Sequence, residues 1–328
     1  MNSVQSMKWL IRRELWEHKG AMVWTPLVIG LVLFVFAAGT AIWKVQMGDI
    51  MEFGVHVNGR QVDLSNMMAA LTEQQRESVA RGLANSYLAV SAPLFLMLPT
   101  VVFFYCLGGL YDERRDGSIL FWKSLPLSDG ATVASKVATA LVVAPAITVV
   151  VATVTSLAML VVVATLAAFY GINLFGLLLT SWQTYLTPLQ LLSLLPVYML
   201  WALPTVAYLL LVSSWAKSKV FLWAVGTPLI IAAIIKWTDY LAGGRGLKAE
   251  WFMEHVVGTG LGGLIPGVWL FNARLPKERL LHVGDNMVNM AGVVEQSYLS
   301  LASPAPWIGA AVGVLMLYAA MRLRRYRE

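Results

Sequence analysis

Six long apolar stretches constrain this chain more than any other feature of its sequence. They lie at about residues 21–43, 86–110, 137–168, 187–212, 220–240 and 305–321. A helix rises about 1.5 Å per residue and the hydrocarbon core of a bilayer is about 30 Å thick, so about 20 apolar residues can span it. Only 13% of the residues are charged, against about a quarter in soluble proteins. The sequence therefore predicts an all-α integral membrane protein, with residues 1–328 forming a single transmembrane domain.

The distribution of Lys and Arg predicts how these helices are oriented. Fourteen of the 24 basic residues fall in the N-terminal segment, the second loop, the fourth loop and the C-terminal tail. They are Lys8, Arg12, Arg13, Lys19, Arg114, Arg115, Lys123, Lys136, Lys217, Lys219, Arg322, Arg324, Arg325 and Arg327. Because cytoplasmic loops carry an excess of basic residues, we expect both termini and these loops to face the cytoplasm. Lys136 lies near the end of its span, from which its ammonium group could snorkel to the interface.

Two long segments are then expected on the outer side, at 44–85 and 241–304. The apolar run 256–271 is broken by five Gly and Pro266, which favours a re-entrant or interfacial segment over a seventh span. The run 171–186 is interpreted in the same way. Within 44–85 an amphipathic helix is predicted from apolar residues at near-helical spacing, namely Met67, Leu71, Val79 and Leu83.

Sequence patterns of an enzyme or a metal site are missing. The chain has no GxxxxGK[ST] phosphate loop, no HExxH motif and no GxSxG elbow. Its four His residues are far apart in sequence, and Cys106 is the only cysteine. The central third of each predicted span also lacks the ionisable side chains that mark ion or proton paths. We therefore expect a chain without a catalytic, metal or cofactor site, which takes its energy from a partner protein.

The segment between the second and third spans is the most unusual stretch of the chain. It reads "YDERRDGSILFWKSLPLSD" over residues 111–129, with charged residues followed by an amphipathic run. Ile119, Trp122 and Leu125 share one face of a short helix that Gly117 and Pro126 would delimit. Ser128 or Asp129 can cap the long helix that follows. Such a helix either anchors a loop at the membrane surface or docks on a partner.

The order of residues in this segment resembles a known family. Glu113-Arg114, Gly117-Ser118-Ile119 and the run "SLPLS" at 124–128 resemble the segment between the second and third spans of ABC transporter permeases of the type-2 exporter family. The N-terminal stretch 7–19, in which Met7, Ile11 and Leu15 recur every four residues, matches the amphipathic interfacial helix of that family. The chain differs from the family in having Ser118 in place of the usual Thr and Leu120 where Glu is frequent.

The resemblance implies that residues 112–128, the coupling segment, form a short cytoplasmic helix that contacts a separate ATP-binding subunit. The residues that it assigns to this docking are Glu113, Arg114, Gly117, Ile119, Trp122 and Pro126. It also implies a second permease, either another copy or a related chain, a bacterial inner-membrane location, and ATP and Mg²⁺ bound only by the partner subunit. We expect contacts with membrane lipid and none with nucleic acid.

Three other functions are compatible with a six-span chain. A secondary transporter or channel would work without nucleotide and would need a charged or polar residue along its path. A membrane anchor or assembly subunit would keep the docking helix but would not transport. An integral membrane enzyme would need a carboxylate or histidine cluster at one interface, which the sequence pattern does not reveal.

Overall fold

The structure of this protein is a computed structural model, which describes residues 3–46, 73–118, 128–169, 175–176, 182–242, 258–272, 280 and 288–326. Within these ranges the chain is all-helical and has no strands, as the sequence predicts. The α-helices comprise Ser3–Glu17, Thr25–Gln46, Glu73–Gly109, Tyr111–Arg115, Asp129–Ala138, Ala144–Phe169, Trp182–Ser193, Leu195–Trp215, Val220–Leu241, Thr259–Gly262, Val268–Asn272, Met290–Leu299 and Pro304–Tyr326. The first of these is called α1 below.

Six helical stretches are long and apolar enough to cross a membrane, which confirms the predicted multi-pass membrane protein. We call them spans 1 to 6 in chain order. They are Gly20–Gln46, Ala89–Arg115, Asp129–Phe169, Tyr185–Trp215, Val220–Leu241 and Pro304–Arg325. Each overlaps one of the six predicted spans.

Span 3 is longer than the predicted apolar stretch 137–168. It contains 41 residues, or roughly 61 Å of helix, which is about twice the thickness of the hydrocarbon core. The helix begins at Asp129, and the Ser128 hydroxyl caps it by accepting a hydrogen bond from the Ala131 N–H. Its first turns are polar, but Thr132 and Lys136 are buried against other parts of the protein. Tertiary packing therefore extends this helix beyond the apolar stretch.

Two turns of the wider π-helix interrupt the α-helical hydrogen-bond pattern, at Gly20–Trp24 and Thr139–Val143. Pro26 and Pro145 follow them closely. A proline lacks an N–H group and its ring clashes with the carbonyl four residues earlier, and a locally widened turn relieves that clash. The chain thus remains helical from α1 into span 1 and from the start to the end of span 3.

Span 4 lies at the centre of the bundle. In its most apolar stretch 56% of the residues are buried, against 17% in spans 1, 5 and 6. Span 6 approaches it through Gly309 and Gly313, because a Cβ atom on Gly313 would lie only 3.2 Å from the Cα of Pro204. Small residues four positions apart allow such close approach of membrane helices. Span 1 packs on span 3 in a similar way, through Gly30.

The apolar run 256–271 forms no seventh span in the described residues. It contains two short helices, and Leu264 and Trp269 are buried in the main core. The Trp269 indole N–H donates a hydrogen bond to the Ser297 hydroxyl at 2.8 Å, and Trp201 in span 4 donates to Ser300 at 3.3 Å. This segment therefore packs on the bundle through buried apolar and polar contacts.

The predicted amphipathic outer helix lies only partly within the described residues. Val79 and Leu83 belong to one helix, Glu73–Gly109, which continues directly into span 2. Met67 and Leu71 lie outside the described residues.

Candidate functional site: a buried charge cluster at one end of the bundle

Four parts of the chain that are remote in sequence meet at one end of the bundle. The α1 helix meets the end of span 2 where Arg13 contacts Glu113 at 3.1 Å. The start of span 3 meets α1 where Lys136 contacts Glu14 at 2.9 Å. The end of span 6 joins them through Arg324, which contacts Glu113 at 2.8 Å. Both terminal helices and the start of the coupling segment therefore lie at the same end of the bundle.

Six ionisable side chains form what we call the buried charge cluster. Its cations are Arg13, Lys136 and Arg324, and its carboxylates are Glu14, Glu113 and Asp129. The formal charges of these six cancel, with three of each sign, and the exposed Glu17 is a further partner of Arg13 at 3.4 Å. Glu14 is 0% exposed, Lys136 1% and Arg324 4%. Buried ions are tolerated only when they are paired and hydrogen-bonded, so the members of this cluster depend on one another.

The Glu14 carboxylate accepts four hydrogen bonds from three side chains. The Lys136 ammonium group donates to both of its carboxylate oxygens, at 2.9 and 3.0 Å. Arg13 donates to it at 2.7 Å, and the Tyr105 hydroxyl of span 2 donates at 2.9 Å. Burial alone would raise the pKa of the Glu14 carboxyl, but the Lys136 and Arg13 charges outweigh burial and hold that pKa below its ordinary value. Glu14 is therefore present as a buried carboxylate.

Glu113 joins cations from three separate elements. One carboxylate oxygen lies 3.1 Å from Arg13 and 3.0 Å from Lys136, and the other lies 2.8 Å from Arg324. Arg324 in turn contacts Asp129, at the start of span 3, at 3.1 Å. The sequence assigned Glu113 to docking on a partner, and the structure places its side chain inside the chain's own charge cluster.

Arg114 is also held within the chain. Its guanidinium group donates to the backbone carbonyls of Ser213 and Ala216, at the end of span 4. The Ser213 hydroxyl accepts hydrogen bonds from the N–H groups of Leu110 and Tyr111, each at 3.0 Å, and donates to the Leu107 carbonyl at 2.7 Å. A cation next to the last carbonyls of a helix stabilises that helix end. Arg114 and Ser213 therefore fasten the end of span 2 to the end of span 4.

Unlike Glu113 and Arg114, the next residues of the coupling segment, Arg115 to Gly117, are not part of the networks that join the described helices. Gly117 has φ +70°, in the left-handed region that favours glycine, and it follows the short helix Tyr111–Arg115. Arg115 and Asp116 are exposed and pair with each other at 3.0 Å. The other predicted docking residues, Ile119, Trp122 and Pro126, lie outside the described residues.

One sequence-based expectation about this region was wrong. Lys136 does not snorkel to the interface, because two buried carboxylates, Glu14 and Glu113, satisfy its ammonium group inside the protein. The residues that α1 buries are Leu10 and Glu14, and Met7, Ile11 and Leu15, which were expected to form its apolar face, are partly buried.

Three potential metal ligands lie close together beside the cluster. The side chains of Glu14, Glu17 and His18 offer ligand atoms within 4.8 Å of one another. Lys136, Arg13 and Tyr105 already engage the Glu14 oxygens, so this geometry favours ion pairing over metal binding. The His18 ring packs edge-on against Tyr105 at 4.9 Å, and burial lowers its pKa.

Comparison of the chain with protein-family models, with curated proteins and with solved structures gave no match.

Proposed function

We propose that this protein is the membrane-spanning permease subunit of an ATP-driven exporter of the type-2 ABC family, located in a bacterial inner membrane. The end of the bundle that carries the buried charge cluster faces the cytoplasm in this proposal. Three features support it: six apolar helices, a coupling segment that resembles the family, and a concentration of basic residues at the segments that meet at this end.

The position of Glu113 and Arg114 is the observation that carries the proposal. They lie at the start of the coupling segment, and their side chains contact α1, span 3, span 6 and span 4. The backbone of the segment continues from span 2 and into span 3. A force applied to residues 118–128 would therefore act on most of the bundle, as expected of a segment through which a partner moves the chain.

The predicted docking residues then divide into two groups. Glu113 and Arg114 hold the base of the segment, and Gly117 provides the turn beyond it. Ile119 and Trp122 provide the apolar contact with the ATP-binding subunit, and Pro126 ends the helix that carries them. ATP and Mg²⁺ are bound by that subunit, and this chain supplies the transport path together with a second permease copy or a related chain.

An ion-coupled carrier is the main alternative, because it too would contain buried ionisable residues. The position of the buried charge cluster favours the ABC proposal. Glu14 precedes span 1 and Glu113 lies in the last turn of span 2, so the cluster lies at one end of the bundle rather than at mid-depth. Transport by the reconstituted chain without an ATPase would support the carrier instead.

Co-purification with the ABC ATPase encoded beside this chain tests the proposal. We expect Trp122→Ala to weaken the complex about 30-fold, since a docked aromatic anchor contributes about 2 kcal/mol. Trp43→Ala is the matched control, because Trp43 is an exposed tryptophan at the opposite end of span 1. If Trp122→Ala and Glu113→Ala leave both complex formation and stimulated ATP hydrolysis at wild-type levels, the proposed docking set is wrong.

A further inference from the structure

The α1 helix has two faces with different surroundings. Leu10 and Glu14 are buried against the bundle, whereas Trp9 and Trp16 are 60% and 65% exposed. A helix that only anchored the chain to the membrane surface would need the exposed tryptophans and no buried carboxylate. The buried carboxylate of Glu14 therefore indicates a second role for α1.

The backbone joins α1 to span 1 without a break in its hydrogen bonding. The His18 N–H donates to the Glu14 carbonyl at 3.0 Å, and the Met22 N–H donates to the His18 carbonyl at 3.0 Å. The ladder then passes through the π-helical turn Gly20–Trp24 into the helix of span 1. A displacement of α1 is therefore transmitted to span 1.

Two cations connect α1 to the coupling segment. Arg13 contacts Glu14 at 2.7 Å and Glu113 at 3.1 Å, and Lys136 contacts the same two carboxylates at 2.9 and 3.0 Å. If Glu113 left the cluster alone, Arg324 and Lys136, which are both buried, would each lose a carboxylate partner, which is an unfavourable arrangement. Movement of Glu113 therefore favours movement of α1 with it.

We propose that α1 is a moving part of the coupling machinery, in which Arg13 and Glu14 are positioning residues that transmit displacement of the coupling segment to span 1. This inference rests on the proposed function. Spans 2 and 3 are joined to the coupling segment through the backbone. Span 1 is linked to it through the contacts of Arg13 with Glu113 and of Glu14 with Lys136, in addition to its packing on span 3 at Gly30.

The double variant R13Q/E14Q separates this role from simple stability. It removes one cation and one carboxylate, so that Lys136 and Arg324 still face Glu113 and Asp129 and the cluster stays neutral. The control R12Q removes a cation from the exposed part of the same helix and leaves the ion pairs of Arg13, including the one with Glu17 at 3.4 Å, in place. We expect both variants to remain folded and to co-purify with the ATPase.

The measured quantity is the rate at which a water-soluble maleimide labels an introduced cysteine. The cysteine is placed in span 1 or span 3, at the end that is remote from the buried charge cluster. Trp43→Cys reports on span 1 and Phe169→Cys reports on span 3; both native side chains are exposed. Cys106, the only native cysteine, is fully buried and does not compete for the reagent. The rates are compared in the complex with the ATPase, without nucleotide and after trapping with ATP and vanadate.

In R12Q we expect nucleotide trapping to change the labelling rate at both positions. In R13Q/E14Q we expect the change to be reduced at position 43 and kept at position 169. An equal change at position 43 in both variants would overturn the role of α1 and leave the proposed function intact. The absence of a change at position 43 in R12Q would also overturn it. Failure of the wild-type chain to bind the ATPase would overturn the proposed function, and this inference with it.

Discussion

Removal of the Lys136 charge is the sharpest test of the buried charge cluster. The ammonium group lies 2.9 and 3.0 Å from the two Glu14 oxygens and 3.0 Å from Glu113, and the side chain is 1% exposed. Lys136→Met keeps the length of the side chain but leaves three carboxylates with two cations. Breaking a buried ion pair from one side costs about 3–5 kcal/mol. For a chain of this length that corresponds to a fall of roughly 4–7 °C in Tm.

The double variant Glu14→Gln/Lys136→Met shows whether the cost comes from the unpaired charge. It restores equal numbers of cations and carboxylates, and the amide oxygen that Glu14→Gln introduces can still accept the hydrogen bond from Tyr105. We therefore expect the double variant to recover most of the lost Tm, since replacing both members of a buried pair is often close to neutral.

Thermal unfolding in lipid nanodiscs, followed by tryptophan fluorescence, measures both effects. A Lys136→Met variant within about 1 °C of the wild type would show that the cluster contributes no more than a surface ion pair does. A double variant less stable than Lys136→Met would show that the unpaired Glu14 charge is not the source of the cost. Either result would refute the description of Lys136 as the paired cation of Glu14.

Three further predictions concern other contacts. Gly313→Ala should lower Tm and Gly309→Ala should not, because the added Cβ meets the backbone of span 4 at 3.2 Å in the first variant but a side-chain carbon at 3.5 Å in the second. Arg114→Met should cost about 1–3 kcal/mol, since it leaves buried carbonyls without their donor, whereas Arg115→Gln at the exposed neighbouring position should change stability by less than about 0.5 kcal/mol in thermal unfolding. Burial lowers the pKa of His18 in the native chain, so the unfolded chain binds a proton at His18 more readily than the native chain does. Stability should therefore fall as pH drops below about 6.5. His18→Gln should flatten the dependence of Tm on pH between about 7.5 and 5.5.

The membrane helices could be predicted because their signal is local. Each span is a run of apolar residues, and the length of the run compared with the thickness of a bilayer identifies it. The start of the span 3 helix was predicted from a different signal, because Ser128 and Asp129 were possible N-caps and Ser128 does cap the helix that begins at Asp129. The burial of Thr132 and Lys136, which precede the apolar stretch, could not be predicted, because it depends on the protein around them.

The charge cluster depends on contacts that no local pattern encodes. Glu14 and Lys136 are 122 residues apart, and Arg324 and Asp129 are 195 residues apart. Glu14 lies in a basic, tryptophan-rich helix, where an acidic residue is easily interpreted as part of a solvated face. One sequence signal did point to this region. Glu113 was identified from its place in the coupling segment, although its partners inside the chain were not.

Photo-crosslinking from position 122 tests the central claim most directly, namely that a partner moves this chain through the coupling segment. Trp122 is replaced by benzoylphenylalanine in cells that also produce the neighbouring ATPase, and the membranes are irradiated with and without ATP. The account predicts a covalent adduct between this chain and the ATPase whose yield depends on nucleotide. Adducts only with lipid or with proteins on the opposite side of the membrane, and none with the ATPase, would contradict it.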